Sequence, residues 1–314
     1  MPELPEVEHL RRSLDPVLVG ARLHAVTVRR RSVIECGARD GRRTTSAQRF
    51  SEALLVDRTI VATHRRGKQM ALEADNGRVL VVQLGMTGSM TIEADAPPRG
   101  MEARHRHVLW DFSPATPTGV RWRLAFRDPR RFGGLTAYPS LQALHESWKS
   151  LGPDALTISA TDLANALLRT RRPIKAALLD QALVAGVGNI YADEGLFAAR
   201  IHPLCPAASI GADQIAELAR HLRRILGQAV AQGGSTLRDY RDAFGQPGSA
   251  VQTHLAYGRE GLPCAVCKEA LVGIRVVARA TVFCPRCQDL STMVGTTLSV
   301  KDGPPVRPRR RGGK

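Results

Sequence analysis

The chain has 314 residues, enough for two domains with cores of their own, and its 43% hydrophobic and 24% charged residues exclude an intrinsically disordered protein. Lysine and arginine number 45 against 29 acidic residues, a formal charge of +16 that makes a polyanion the first partner to test. No apolar run reaches the roughly 18 residues of a membrane-spanning helix, so nucleic acid fits the charge better than a membrane does.

The N-terminus, Met1-Pro2-Glu3-Leu4-Pro5-Glu6, is acidic and lacks the basic and apolar regions of a signal peptide, so a cytoplasmic chain with reduced thiols is expected. Val7, Leu10, Leu14, Val17 and Leu18 recur at helical spacing and predict one amphipathic helix, ended by Gly20 and kinked at Pro16 in its last turn. Strand patterns follow at Leu23 to Val28, Val79 to Leu84, Val108 to Phe112 and Arg121 to Arg127. In the last, apolar residues alternate with arginines, so one face meets a core and the other carries cations. Gly/Pro/Arg-rich loops are expected at 37–45 and 94–103. Around Leu151 to Asp154 the period changes from two to helical, which marks a linker. Helices are predicted at Thr161 to Thr170 and Lys175 to Leu183, then at Ile215 to Val230, the last capped by Ser209 or Asp213 and stopped by Gly233-Gly234. The tail from Gly303 to Lys314 is basic, rich in Pro and Gly, and reads as disordered.

Four of the six cysteines stand as Cys264-x2-Cys267 and Cys284-x2-Cys287 with 16 residues between the pairs. Two knuckles of this spacing bring four thiolates to tetrahedral geometry around one zinc, and a site filled by four protein ligands is structural. The stretch from Leu271 to Phe283 supplies a hairpin between the knuckles, on which Arg275 and Arg279 would be held rigidly. Cys36 and Cys205 have no partner by spacing and read as small hydrophobes.

Removal of Met1 would expose Pro2 as a secondary amine, and an unprotonated secondary amine attacks an aldehyde-like carbon to give an iminium. Glu3 and Glu6 flank it. The same residues are also those of an ordinary helix N-terminus, where Pro and Glu suit the first turn and the dipole.

Motifs in chain order decide between these readings. Met1-Pro2-Glu3-Leu4-Pro5-Glu6-Val7-Glu8 resembles the N-terminus of the bacterial formamidopyrimidine-DNA glycosylases, within the wider family that includes the endonuclease VIII branch. The resemblance continues through Arg65-Arg66-Gly67-Lys68, Leu84-Gly85-Met86-Thr87-Gly88-Ser89, Asp128-Pro129-Arg130-Arg131-Phe132-Gly133, Gly186 to Ala192, Tyr257-Gly258-Arg259 and the finger with Arg279-Ala280-Thr281, covering residues 1 to about 288. It implies a multidomain α+β fold: an antiparallel β-sandwich with an N-terminal helix over 1–148, a linker at 149–160, a helical helix-two-turn-helix domain over 161–255, a zinc-finger β-hairpin over 256–290 and a basic tail over 291–314. It also implies a bifunctional DNA glycosylase and apurinic/apyrimidinic-site lyase, acting as a monomer on oxidised purines in damaged duplex DNA, with one structural zinc.

By the same resemblance Pro2 is the nucleophile at the anomeric carbon of the deoxyribose. Glu3 is the acid that opens the sugar or assists the leaving base, and Glu6 supports both. Lys68 is the proton donor of the first elimination, and Arg279 binds the phosphates around the lesion and serves the second. An enzyme that extrudes a base must fill the hole it leaves. Met86 and Phe132, which alone would read as core residues, match wedges inserted into the duplex, and Arg130 matches the residue that reads the orphaned base. His105, Arg171, Arg172 and Asn189 match phosphate contacts. Two departures stand out: Ser249-Ala250 follow Pro247-Gly248 where the family commonly has an aromatic pair, and 27 residues follow the last cysteine. A relative shifted to oxidised pyrimidines is disfavoured by Leu4-Pro5-Glu6-Val7. A non-enzymatic zinc-finger protein would leave Pro2, Glu3 and Lys68 unexplained.

Overall fold

A computed structural model of the chain describes residues 2–36, 47–94, 104–115, 122–235 and 240–290. The basic tail and the loop expected at 37–45 lie outside these residues, as does 95–103. The chain forms two compact units, one of Met1–Ile158, Asp180–Gly188 and Leu222–Thr253, the other of Ser159–Leu179, Asn189–His221 and the residues from His254 on.

In the first unit, helix α1 (Leu4–Leu18) buries Val7, Leu10, Leu14 and Leu18 of the expected stripe and Leu4 besides, while Val17 is only partly buried against the same core. Pro16 lies inside it, and the helix still closes with Val19 N–H donating to the Asp15 carbonyl at 3.0 Å. Strands β1 (Arg22–Val28) and β2 (Ile34–Cys36), helix α2 (Ala47–Ala53), strands β3 (Arg58–Arg66), β4 (Gln69–Ala74), β5 (Val79–Gln83), β6 (Ser89–Ala94), β7 (Arg106–Ser113), β8 (Trp122–Arg127) and β9 (Gly134–Tyr138), and helix α3 (Leu141–Trp148) follow. The strands form one sheet in the order β2-β9-β5-β4-β3-β1-β7-β8-β6. Its two halves are joined by a short pairing of β1 with β3, Arg22 opposite Thr59 and Leu23 opposite Arg58. Leu23, Trp110, Leu124 and Phe126 from one half share a core with Leu72, Leu80, Val82 and Leu135 from the other and with α1, so the sheet is folded on itself as a sandwich.

Two features differ from the expected pattern. The pairing of β2 with β9 is parallel, so the sheet is mixed rather than wholly antiparallel. The run Val79 to Val82 does not alternate because both of its faces are covered: Leu80 and Val82 face the sandwich core, while Val79 and Val81 pack under Leu144 and Trp148 of α3. The β8 alternation holds in outline, with Leu124 and Phe126 in the core and the Arg123 guanidinium paired with Asp111.

The helices beyond the linker are α4 (Ala160–Leu168), α5 (Ile174–Leu179), α6 (Asn189–Ala198) and α7 (Ala212–Ala231), and the hairpin is β10 (Val272–Val276) with β11 (Arg279–Phe283). Helix α4 opens with a capping box between Ser159 and Asp162. The helix expected to reach Leu183 stops at Leu179, because the Asp180 carboxylate accepts the Ala182 N–H at 3.0 Å and its carbonyl takes the N–H groups of Leu183 and Val184. Helix α7 is capped by neither expected residue. It starts at Ala212, with Asp213 in its first turn, while Ser209 closes a separate 3-10 turn by donating to the Pro206 carbonyl. No helix among the described residues is long and apolar enough to cross a membrane.

Candidate catalytic site and metal centre

Helix α1 begins where the candidate nucleophile stands. Glu3 is its N-cap, and Glu3 and Glu6 form a capping box in which Glu6 Oε2 accepts the Glu3 N–H at 2.7 Å. Both carboxylates are 1% exposed. Glu6 Oε1 accepts the Ser235 N–H at 2.6 Å, and the Tyr240 hydroxyl donates to the Glu6 carbonyl at 2.8 Å, so Glu6 is held from two chain segments. The turn 186–188 closes over the other side. The Gly186 carbonyl accepts the Leu4 N–H at 3.1 Å, and a Cβ at Gly188 would lie 2.3 Å from the Glu3 carboxyl carbon. Pro2 and Lys68 line one cavity of about 210 Å³ together with Val7, Gln69, Gln83 and Gln181.

Lys68 sits in the two-residue turn between β3 and β4, and that turn is tied down by charge. The Asp154 carboxylate accepts the Gly67 N–H at 2.8 Å and both terminal nitrogens of Arg65, at 2.7 and 3.1 Å. Arg65 Nε donates in turn to Glu8 on α1 at 2.9 Å. Helix α1, which carries Pro2 at its start, and the turn carrying Lys68 are therefore joined through one guanidinium. Burial pushes the Glu8 carboxyl up, but hydrogen bonds from Arg11 and Arg12 and the nearby charges of Arg11 and Arg65 outweigh it and hold the pKa at about 2 against the ordinary 4.5. A carboxylate depressed in the folded state stabilises above its unfolded pKa and loses that contribution as pH falls through the folded value. Stability should therefore drop between about pH 4.5 and 2, and Glu8→Gln, followed by urea unfolding across that range, should flatten the drop.

The two loops that carry the candidate wedges share a fully buried carboxylate. Asp128 accepts the Thr87 hydroxyl at 2.6 Å and the N–H groups of Arg130 and Gly133 at 3.2 and 2.7 Å, while the His107 ring meets its carbonyl. Phe132 is 60% exposed with the Arg130 guanidinium 5.0 Å from its ring centroid, and Met86 is half-buried. Phe132 is thus no core residue. His105 is exposed at a left-handed φ of 62°, on the segment that enters β7.

In the second unit, Cys264, Cys267, Cys284 and Cys287 bring their Sγ atoms within 4.8 Å of one another, with 3.4 Å between Cys267 and Cys284 and 4.0 Å between Cys264 and Cys287. A zinc tetrahedron with Zn–S bonds of about 2.3 Å has edges of about 3.8 Å, so the four thiols fit that ion. The hairpin between them turns at Val277 and Ala278, both left-handed, and leaves Arg275 and Arg279 exposed. Its inner strand hangs on a buried ion pair. Lys175 Nζ lies 2.6 Å from Asp193, with both side chains at most 1% exposed, and donates to the Ala280 carbonyl at 2.9 Å and the Thr281 hydroxyl at 2.8 Å. Asp193 accepts the Val282 N–H at 3.1 Å. Burial raises the Asp193 carboxyl to about 6 despite Lys175. Asn189, at the start of α6, uses its amide N–H on the same Ala280 carbonyl at 2.9 Å, and Arg171 and Arg172 are exposed before α5. Glu194 takes the N–H groups of Leu255, Ala256 and Tyr257, which fixes the Tyr257-Gly258-Arg259 motif. Cys205 is fully buried, as a small hydrophobe would be.

Sequence reasoning missed Arg65, Asp128, Asp154, Lys175 and Asp193 as the residues that hold the site. Asp128 and Arg65 lie inside quoted motifs, which was the available signal. Lys175 and Asp193 each interrupt an apolar stretch, a signal of a buried partner.

Comparison with known proteins gives consistent matches. The family models for the formamidopyrimidine-DNA glycosylase N-terminal domain, for its H2TH domain, and for the zinc finger found in FPG and IleRS match residues 1–135, 151–241 and 261–290. Formamidopyrimidine-DNA glycosylases of Thermomicrobium roseum and Laribacter hongkongensis are 40% and 39% identical, each over 92% of this chain and the whole of theirs. The fold is similar to that of Lactococcus lactis Fpg in complex with abasic-site DNA, with a TM-score of 0.79 and 30% identity over 92% of this chain and all of that one. The MutM (Fpg) protein of Thermus thermophilus matches with a TM-score of 0.75 and 39% identity over 91% of this chain and 98% of that one. The four thiols fall within the matched finger, and the chain carries one structural zinc there. Metal analysis should find about one zinc per chain, and Cys264→Ser should release it and unfold the β10–β11 hairpin, read as loss of amide protection in β11.

Proposed function

This chain belongs to the formamidopyrimidine-DNA glycosylase family, and from that premise we propose that it excises oxidised purines from duplex DNA through an imine on Pro2 and then cuts the strand by β,δ-elimination. It is a DNA glycosylase with lyase activity at apurinic/apyrimidinic sites. The observation that carries the proposed chemistry is the cavity lined by both Pro2 and Lys68, with Glu3, buried, next to Pro2 in the chain. Similar proteins have been crystallised with DNA containing Fapy-dG and carbocyclic 8-oxo-G, which supports damaged purines as the substrate class.

The Pro2 nitrogen bonds to the anomeric carbon, and the damaged base leaves with the glycosidic electron pair. Glu3 gives a proton to the ring oxygen as the sugar opens to the iminium. Loss of a proton from the adjacent carbon to water leaves an enamine whose electron pair expels the 3′ phosphate, and the leaving phosphate takes its proton from Lys68. Arg279 neutralises the 5′ phosphate as it leaves in the second elimination. Met86 and Phe132 enter the duplex, Arg130 meets the orphaned base, and His105, Arg171, Arg172 and Asn189 bind phosphates. The protein acts as a monomer in the cytoplasm on chromosomal DNA. Borohydride trapping on duplexes with single lesions tests the reading: mass spectrometry should find the sugar remnant on the N-terminal peptide, and a remnant on Lys68 would overturn the assignment of Pro2.

A further inference from the structure

The cavity holds a polar side chain that the mechanism above does not use. Gln69 is the first residue of β4, beside Lys68, and it lines the cavity with Pro2. Its Oε1 accepts the indole N–H of Trp148 at 2.7 Å. Trp148 is 6% exposed, and an indole nitrogen can only donate, so this bond decides which way the amide is turned. The oxygen is turned toward Trp148, and the side chain has no other hydrogen bond among the described residues. What remains for the cavity is the Nε2 amide, a pair of donors.

Those donors match one kind of ligand. Within an intact strand, and until the sugar ring opens, the deoxyribose phosphate carries ring, ester and phosphate oxygens and no hydroxyl, so everything polar that it offers as it enters the site is an acceptor. A freely rotating glutamine would present its oxygen to such a ligand as readily as its nitrogen. One clamped by an indole N–H presents nitrogen. On the reading that Pro2 attacks the sugar, we propose that Gln69 is a further substrate-contacting residue whose Nε2 donates to a sugar-phosphate oxygen of the nucleotide engaged by Pro2, and that Trp148 is the positioning residue that sets its donor orientation.

Single-turnover excision and binding of a duplex with a single 8-oxoguanine, whose sugar is intact, should be measured for Gln69→Leu, Gln69→Glu, Trp148→Phe and the double variant Gln69→Leu/Trp148→Phe. Gln69→Leu should lose about tenfold in rate over dissociation constant, the scale of one hydrogen bond to a charged or strongly polar oxygen. Gln69→Glu, which keeps an acceptor for Trp148 but aims a second carboxylate oxygen at the substrate, should lose more than leucine does. Trp148→Phe should cost several-fold with Gln69 present and nothing further in the Gln69→Leu background, because its effect runs through the amide. Unfolding midpoints of all four variants accompany the rates, and if Trp148→Phe is poorly folded the ordering of glutamate below leucine carries the test. The inference is overturned if both Gln69 variants stay within about twofold of wild type, or if Trp148→Phe costs as much without Gln69 as with it. Borohydride trapping of the wild type separates the two levels: if it fails at Pro2 the proposed function falls, and if it succeeds while the Gln69 variants cleave normally only this inference does.

Discussion

Replacing Glu3 by glutamine is expected to lower single-turnover excision by about a hundredfold to ten-thousandfold while leaving affinity for lesion DNA near that of the wild type, the range lost when a positioned proton donor is removed. The substitution separates chemistry from structure because the amide has the shape of the carboxyl. Glu3 caps α1 by accepting the Glu6 N–H, and a glutamine carbonyl can accept that bond equally well, so the helix start survives. What disappears is the transferable proton. Glu6 lies three residues away and equally buried, yet its two oxygens already take the N–H groups of Glu3 and Ser235. That arrangement suits a residue that holds the helix start in place. Near-normal excision by Glu3→Gln in a quench assay, with a matching binding isotherm, would remove Glu3 from the mechanism.

The residues proposed for the chemistry were legible because their types are constrained by what they would do. A secondary amine behind Met1, a lysine in a two-residue turn and four thiols at knuckle spacing each have few alternatives once the motifs stand in order. The periodicity of α1 and the Gly233-Gly234 stop of α7 were equally plain, since a buried stripe must recur every turn. The residues that position the chemistry were not legible. Asp154 reads as a linker carboxylate and Asp128 as part of a motif, yet each collects several donors that come from distant segments or from loops brought together only by folding. The three-residue β2 is too short to carry a period, and its parallel partner β9 is about a hundred residues away, so neither its existence nor its direction had a local signal. The segment 180–188 groups with the N-terminal residues rather than with α5 and α6, which flank it in sequence, and only the fold reveals that its glycines Gly186 and Gly188 are shaped by Leu4 and Glu3.

That last contact yields a prediction that does not touch a reacting group. Gly188→Ala is expected to cut excision by about a hundredfold at a stability loss of only about 2 kcal/mol, because an ångström of misplacement at a reacting group can cost that much in rate. A Cβ at this position would lie 2.3 Å from the Glu3 carboxyl carbon and 2.5 and 2.6 Å from its two oxygens. All three are the far end of one flexible side chain. Turning Glu3 aside costs on the order of 1 kcal/mol in rotamer energy and about 1 kcal/mol more for the helix cap it gives up, a loss the fold tolerates. The same turn takes the carboxylate away from its place at the start of α1. Gly186→Ala is the contrasting case, since its Cβ would meet Leu4 Cδ1 at 2.3 Å and Cβ at 2.9 Å, with the backbone at φ +109°. Leu4 is fully buried, so that strain falls on the core and should appear as a lower unfolding midpoint. Thermal unfolding and single-turnover excision on the two variants should therefore diverge, Gly188→Ala losing mainly rate and Gly186→Ala mainly midpoint. Wild-type excision by a well-folded Gly188→Ala would mean that the reaction does not need the Glu3 carboxylate at this position, and the acid role assigned to Glu3 would fall with it.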